Sequence, residues 1–215
     1  MFQKIFGAVN AALFLVDVKF FFVKMKAEGV IKLQSDTTKK ISTAALTKIS
    51  MCVALCCVSA NIVFPLPFTP GMVTALTIVL SLAAYILTPK QTFTVIAVYL
   101  MLGIAGLPVF AGTGGIGRLL SPVGGFYLAW LVAYPLLSYF KGTEINFKRY
   151  VLMNFFIAMP VTYIGGLISM MVMMEIDIWQ AATMAVFPFI FGDVLKTCAA
   201  AFLGVKLNSA LQFRE

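Results

Sequence analysis

The chain has 215 residues, of which 61% are hydrophobic and 11% charged, with a mean hydropathy of +1.00. Soluble domains run near a quarter charged, so the composition predicts one compact, all-α membrane domain with little left for a soluble one. The chain has no histidine, which removes the commonest general base and metal ligand, and its net charge of +8 is gathered between apolar segments, which argues against nucleic acid as a partner.

Residues 1–40 read as an interfacial helix followed by a basic linker. Phe2, Phe6, Val9, Leu13, Val16 and Phe20 recur at helical spacing, while Asn10, Asp17 and Lys19 interrupt the run. An extra, poor span is the alternative; an amphipathic helix on the inner leaflet is favoured. Lys24, Lys26, Lys32, Lys39 and Lys40 mark the cytoplasmic side.

Residues 41–210 hold six predicted transmembrane helices. The first covers about residues 44–64 and stops at Pro65-Leu-Pro-Phe-Thr-Pro70, since three prolines in six residues cannot continue a helix. The second covers about residues 71–87, and Thr88-Pro-Lys90-Gln is a short turn. The third covers about residues 92–105. A long glycine-rich connection, residues 106–125, leads to the fourth at about residues 126–140. The fifth runs over about residues 150–174, softened by Pro160 and Gly165-Gly166. Residues 178–191 are apolar but broken by Pro188, so they read as a half-helix. Gly192-Asp193 then opens the sixth, with Asp193 as its cap, ending near Leu207.

This placement puts residues 24–40, Lys90, Lys141, Lys148, Arg149, Lys206 and Arg214 on one side. The other side holds Arg118, Glu175 and Asp177. Such a bias predicts a multi-pass protein with both termini cytoplasmic and an outward-facing site.

Asp193 and Lys196 are opposite charges three positions apart in an otherwise apolar run, on one helix face. Charge within a membrane segment is costly unless paired or facing a cavity, so the pair is a candidate ligand site. The plainer reading is an ion pair that orders the half-helix. Gly112, Gly114 and Gly115 would let backbone approach a ligand. Phe68, Phe110, Phe126 or Phe187 would supply apolar walls. Arg118 stays open between holding a ligand carboxylate and anchoring a lipid headgroup. Cys52, Cys56, Cys57 and Cys198 read as packing residues rather than a zinc site, the Met170–Met174 run as filler, and Asn61 and Asn154 as inter-helix bonds.

Four stretches, Pro65-Leu-Pro-Phe-Thr-Pro70, Gly106-Leu-Pro-Val-Phe-Ala-Gly-Thr-Gly-Gly115, Ser121-Pro-Val-Gly-Gly-Phe126 and Gly192-Asp-Val-Leu-Lys196, fall in the order and spacing of the BioY family. The chain resembles those biotin-binding S components of energy-coupling factor (ECF) transporters over about residues 44–207. The resemblance implies a bacterial plasma-membrane subunit that captures biotin and works with a membrane T component and a pair of cytoplasmic ATPases. It implies biotin as cargo, and neither a cofactor nor enzymatic chemistry. It assigns ligand contact to Asp193 and Lys196, and brings in Thr113 and Tyr127 around the loop, beside Gly112, Gly114, Phe126 and Arg118, which stand as candidates on their own chemistry. Thr113 stands where some relatives carry asparagine, and Tyr127 where a relative has arginine. Ser50 and Ala54 match a small-residue docking surface on the first helix.

An S component for another small vitamin and a scaffold without transport are the remaining alternatives. An intramembrane aspartyl protease lacks its second aspartate, and serine–histidine chemistry lacks its histidine.

Overall fold

The computed structural model describes residues 43–65 and 70–212. The interfacial helix and linker expected over residues 1–40 lie outside the described residues, as does Phe68.

The elements in chain order are α1 (Thr43–Ser59), a hairpin of β1 (Val63–Pro65) and β2 (Met72–Thr74), α2 (Leu76–Ile86) and α3 (Pro89–Ile104). A single 3-10 turn (Ile116–Arg118) precedes α4 (Gly124–Phe140). Then follow α5 (Phe147–Met153), a π turn (Asn154–Ala158), α6 (Met159–Met174), α7 (Ile178–Ala185) and α8 (Phe187–Gln212). Counting α5 to α6 and α7 to α8 as one rod each, there are six apolar rods among the described residues. The rods at Phe147–Met174 and Ile178–Leu211 are long and apolar enough to cross a membrane by themselves; the other four helices are shorter. At 1.5 Å per residue, the 11 residues of α2 reach only about 16 Å, roughly half a bilayer core.

Local chemistry explains the departures from the sequence reading. The first helix stops at Ser59, not near residue 64, because Val63–Pro65 pairs antiparallel with Met72–Thr74 in the register Val63↔Thr74 and Pro65↔Met72. Thr88-Pro-Lys90-Gln91 is not a free turn but the start of α3. The Thr88 hydroxyl accepts from the Gln91 amide, the Gln91 side chain accepts from the Thr88 amide, and Pro89 fills the first helical position. Asn146 caps α5 by accepting from the Lys148 amide at 2.9 Å, and Asp177 caps α7 from the Trp179 amide at 3.3 Å. Pro188 does not break the last helix. It sits in the first turn of α8, where its missing N–H costs nothing.

The core is small and aromatic: Tyr85, Tyr99, Phe110, Leu80, Ile96 and Leu137 are fully buried. The outward faces instead carry Met51, Phe93, Met101, Phe156, Val172 and Phe191, each about half exposed or more. An apolar exterior of this extent suits lipid rather than water. Two glycines close the seam between α4 and α6: a Cβ on Gly125 would strike the Gly165 carbonyl, and one on Gly166 the Phe126 ring.

The interior also contains a polar column. Asn154 donates to the Ser81 hydroxyl at 2.8 Å and the Tyr85 hydroxyl at 3.1 Å, joining the π turn to α2. Tyr85 donates to the Tyr150 carbonyl at 3.0 Å, and their rings stack at 4.4 Å. Asn208 of α8 reaches the Tyr85 carbonyl and the Tyr150 hydroxyl. Lys141, just after α4, donates to the carbonyls of Ala84, Tyr85 and Leu87 at 2.6–2.8 Å, satisfying the C-terminal end of α2. Asn154 therefore makes the inter-helix bond expected of it; Asn61, just past the end of α1, instead turns back to the Cys57 carbonyl of that helix.

Candidate ligand site

Asp193 does not cap a helix. It lies in the second turn of α8, because the helix already begins at Phe187. Its carboxylate is held from two sides. Lys196 donates to Oδ1 at 2.8 Å from one turn along, and the Tyr163 hydroxyl donates to Oδ2 at 2.8 Å from α6. The Lys196 and Asp193 side chains are 16% and 18% exposed, so the pair is largely withdrawn from solvent but reachable. Opposite charges at this separation neutralise each other, which lowers the cost of placing them inside the bundle. Lys196 has three N–H groups, and this bond uses one.

The pair faces a cavity with about 610 Å³ of non-atom space, its open mouth included. Gly71, Met72 and Thr74 of the hairpin region, Thr77 of α2, and Ala111 and Arg118 of the long connection line one part. Val123 just before α4, Phe126, Tyr127 and Trp130 of α4, Thr162 and Tyr163 of α6, and Phe189, Asp193 and Lys196 of α8 complete it. Trp130 stands against Tyr127 at 4.8 Å between ring centroids, and Tyr127 against Phe110 at 4.8 Å. An aromatic wall on α4 thus faces a charged pair on α8.

Five buried side-chain polar atoms lack a hydrogen-bond partner among the described residues. Four of them belong to residues lining this cavity: Thr77 Oγ1, Arg118 Nε, Trp130 Nε1 and Thr162 Oγ1. Buried groups of this kind are rare, because each forfeits hydration without replacement. All four converge on one hollow, which makes it the candidate ligand site. Two of them, Arg118 Nε and Trp130 Nε1, only donate.

The sequence-predicted residues divide in two. Asp193, Lys196, Arg118, Phe126 and Tyr127 come together around the cavity. Gly112, Thr113 and Gly114 do not line it; Ala111 is their neighbour that does. They shape the loop instead. Ala111 and Gly112 take positive φ (53° and 80°) at the tip of a tight turn, with Phe110 and Thr113 exchanging backbone bonds across it. A Cβ on Gly114 would meet the Leu107 and Gly106 carbonyls at 2.5 and 2.6 Å. The Tyr99 hydroxyl ties the same loop down through the Val109 carbonyl at 2.6 Å. Of the aromatic candidates, Phe126 lines the cavity, Phe110 stands one layer behind it, and Phe187 points outward. Phe189 takes the place expected of Phe187. Ser50 and Ala54 are exposed, one turn apart on α1.

Tyr163, Thr77, Thr162 and Trp130 were not legible as site residues. The one available signal was indirect: Trp130 follows Tyr127 by three positions, and Gly165-Gly166 marks α6 as closely packed beside them.

The fold and this cavity define a helical membrane protein with an open, amphipathic hollow as its candidate small-molecule site. The profile of the BioY family matches residues 34–213, and the chain belongs to that family. Membership places it among transport components of membranes, not enzymes. Biotin transporter BioY2 of Lactococcus lactis subsp. cremoris is 31% identical over 175 residues, 78% of this chain and 91% of the relative. A probable biotin transporter BioY of Bacillus subtilis is 33% identical over 157 residues, 70% and 82% of the two chains. A crystal structure described as the S-component for biotin from an ECF-type ABC transporter superposes with a TM-score of 0.73. It covers 79% of this chain and 95% of that one at 21% identity, a likeness of fold.

Proposed function

We propose that this chain is the biotin-capturing and membrane-translocating subunit of an ECF-type vitamin uptake transporter. The observation that carries the reading is the Asp193–Lys196 pair, set in a hollow with an aromatic wall and uncommitted buried donors. Biotin suits each part. Its ureido ring offers two N–H donors to the Asp193 carboxylate and one carbonyl to the Lys196 ammonium. Its thiophane ring and alkyl chain fit Phe126, Tyr127, Trp130 and Phe189. Its carboxylate supplies the acceptor that Arg118 Nε lacks, which favours the ligand role for that arginine over a lipid one. The names of the relatives support the same cargo.

Biotin is then cargo, and no cofactor is called for. The remaining parts of the reading are a domain over residues 41–210 with both termini cytoplasmic, the cavity opening outward, and residues 1–40 on the inner leaflet. The excess of lysine and arginine in the loops assigned inside supports this sidedness. Energy would come from a T component and a pair of cytoplasmic ATPases, with the exposed Ser50 and Ala54 of α1 as part of the docking face.

Calorimetric titration of the purified chain with biotin, without ATP, tests the site. The unmodified protein is expected to bind, and D193N and K196M each to weaken binding by about 10–100-fold, the loss of one charge-assisted bond. Binding of another vitamin in place of biotin would reassign the cargo; binding of none would leave a scaffold.

A further inference from the structure

Adjoining the ligand cavity is a second, lower chamber, about 330 Å³ of non-atom space with its opening included, and the two share Thr77, Thr162, Tyr163, Asp193 and Lys196. The lower chamber is otherwise walled chiefly by polar side chains: Ser81, Tyr134, Asn154 and Thr197. The ion pair therefore sits at a neck, with aromatic rings above and hydroxyls and an amide below.

Two hydroxyls at that neck are idle. Several helical threonines and serines satisfy themselves on the carbonyl four residues earlier: Thr47 on Thr43, Ser81 on Thr77, Thr92 on Thr88 and Thr94 on Lys90. Others bond to a carbonyl three residues back or on another segment. Thr77 and Thr162 do not, although both hydroxyl oxygens are buried. Thr77 stands in the first turn of α2, where no helical carbonyl precedes it, whereas the Thr162 hydroxyl leaves the Ala158 carbonyl, four residues earlier, unused. Both residues line both chambers.

We infer that Thr77 and Thr162 contact the ligand, forming with Asp193 and Lys196 a polar floor that reads the hydrogen-bonding edge of its ring. This rests on the biotin reading above. A cyclic urea presents donors and an acceptor side by side. Carboxylate and ammonium each serve one kind; a hydroxyl serves both, accepting from an N–H or donating to the carbonyl. The four side chains together complement that edge, and a ring lacking either function leaves a buried partner unpaired.

The test is T162V and T77V, titrated with biotin and with 2-iminobiotin, in which an imine replaces the urea carbonyl. Valine keeps threonine's outline and removes only the idle hydroxyl. Without ligand, each variant should melt no lower than the unmodified protein, because a buried, unpaired hydroxyl contributes nothing to folding. With biotin, at least one variant should bind about tenfold more weakly. The penalty for exchanging biotin for 2-iminobiotin should shrink in that variant, since the hydroxyl and the replaced group then act together. Unchanged biotin affinity in both variants overturns the inference and assigns the hydroxyls to ordered water in the lower chamber. Absence of biotin binding by the unmodified chain would instead overturn the function proposed above; titrating both valine variants with the vitamin that does bind would then read the floor directly.

Discussion

Asp193 has a partner on each oxygen, and the second one decides how rigidly it is aimed. Lys196 lies on the same helix and would follow any rotation of α8. Tyr163 comes from α6 and fixes the carboxylate relative to a different element. Y163F keeps the ring and removes the bond, so biotin affinity is expected to drop about tenfold, measured by titration. In a D193N background the same change should cost much less, because Tyr163 acts through the carboxylate; equal losses in both backgrounds would refute that. The charges of this site were legible because charge in an apolar run has few explanations, and Arg118 stood out as the one cation on the side assigned outside. Tyr163, Thr77 and Thr162 were not. A phenol or a threonine is at home in a core, at a lipid interface or in a site, and only long-range packing selects among these.

At the scale of elements, the π turn spaces the two halves of the long α5–α6 rod. Met159 donates to the Asn154 carbonyl five residues back, so the turn holds one residue more than an α-helix needs. Asn154 faces the polar column on one side of it, and Thr162 and Tyr163 face the ligand cavity on the other. Deleting the exposed Phe156 should let the turn close into regular helix with both halves still facing as they do, leaving biotin binding within a few-fold. Inserting an alanine after Phe156 should rotate the outer half by about 100° and abolish binding. Comparable losses in the two variants would show that the turn has no such spacing role. Apolar run length made the six rods legible, and the pattern Thr88-x-x-Gln91 held a capping box that was read as a turn. The β1–β2 pairing was hidden, because a strand partner cannot be read from a proline-rich stop. The misplaced helix start at Gly192 came from taking Pro188 as an interruption, when a proline in the first turn of a helix is in keeping with its geometry.

Across the whole molecule the polar groups run from the ligand cavity, through the lower chamber and the Ser81–Asn154–Tyr85 cluster, to a hollow lined by Lys48, Lys141, Tyr150 and Asn208. Lys141 secures that far end by joining the last turn of α2 to the end of α4. Burial outweighs its three carbonyl acceptors and draws its pKa from the usual 10.5 down to about 8. An unfolded chain keeps that proton up to about pH 10, whereas the folded one releases it two pH units sooner. Unfolding in mildly alkaline buffer is therefore coupled to proton uptake at this position. The melting temperature of the unmodified protein, taken relative to K141M, should climb as the buffer is raised from pH 8 towards 10 and level off below pH 8. A difference that stays constant with pH would mean that the ammonium is as comfortable inside the folded protein as in water.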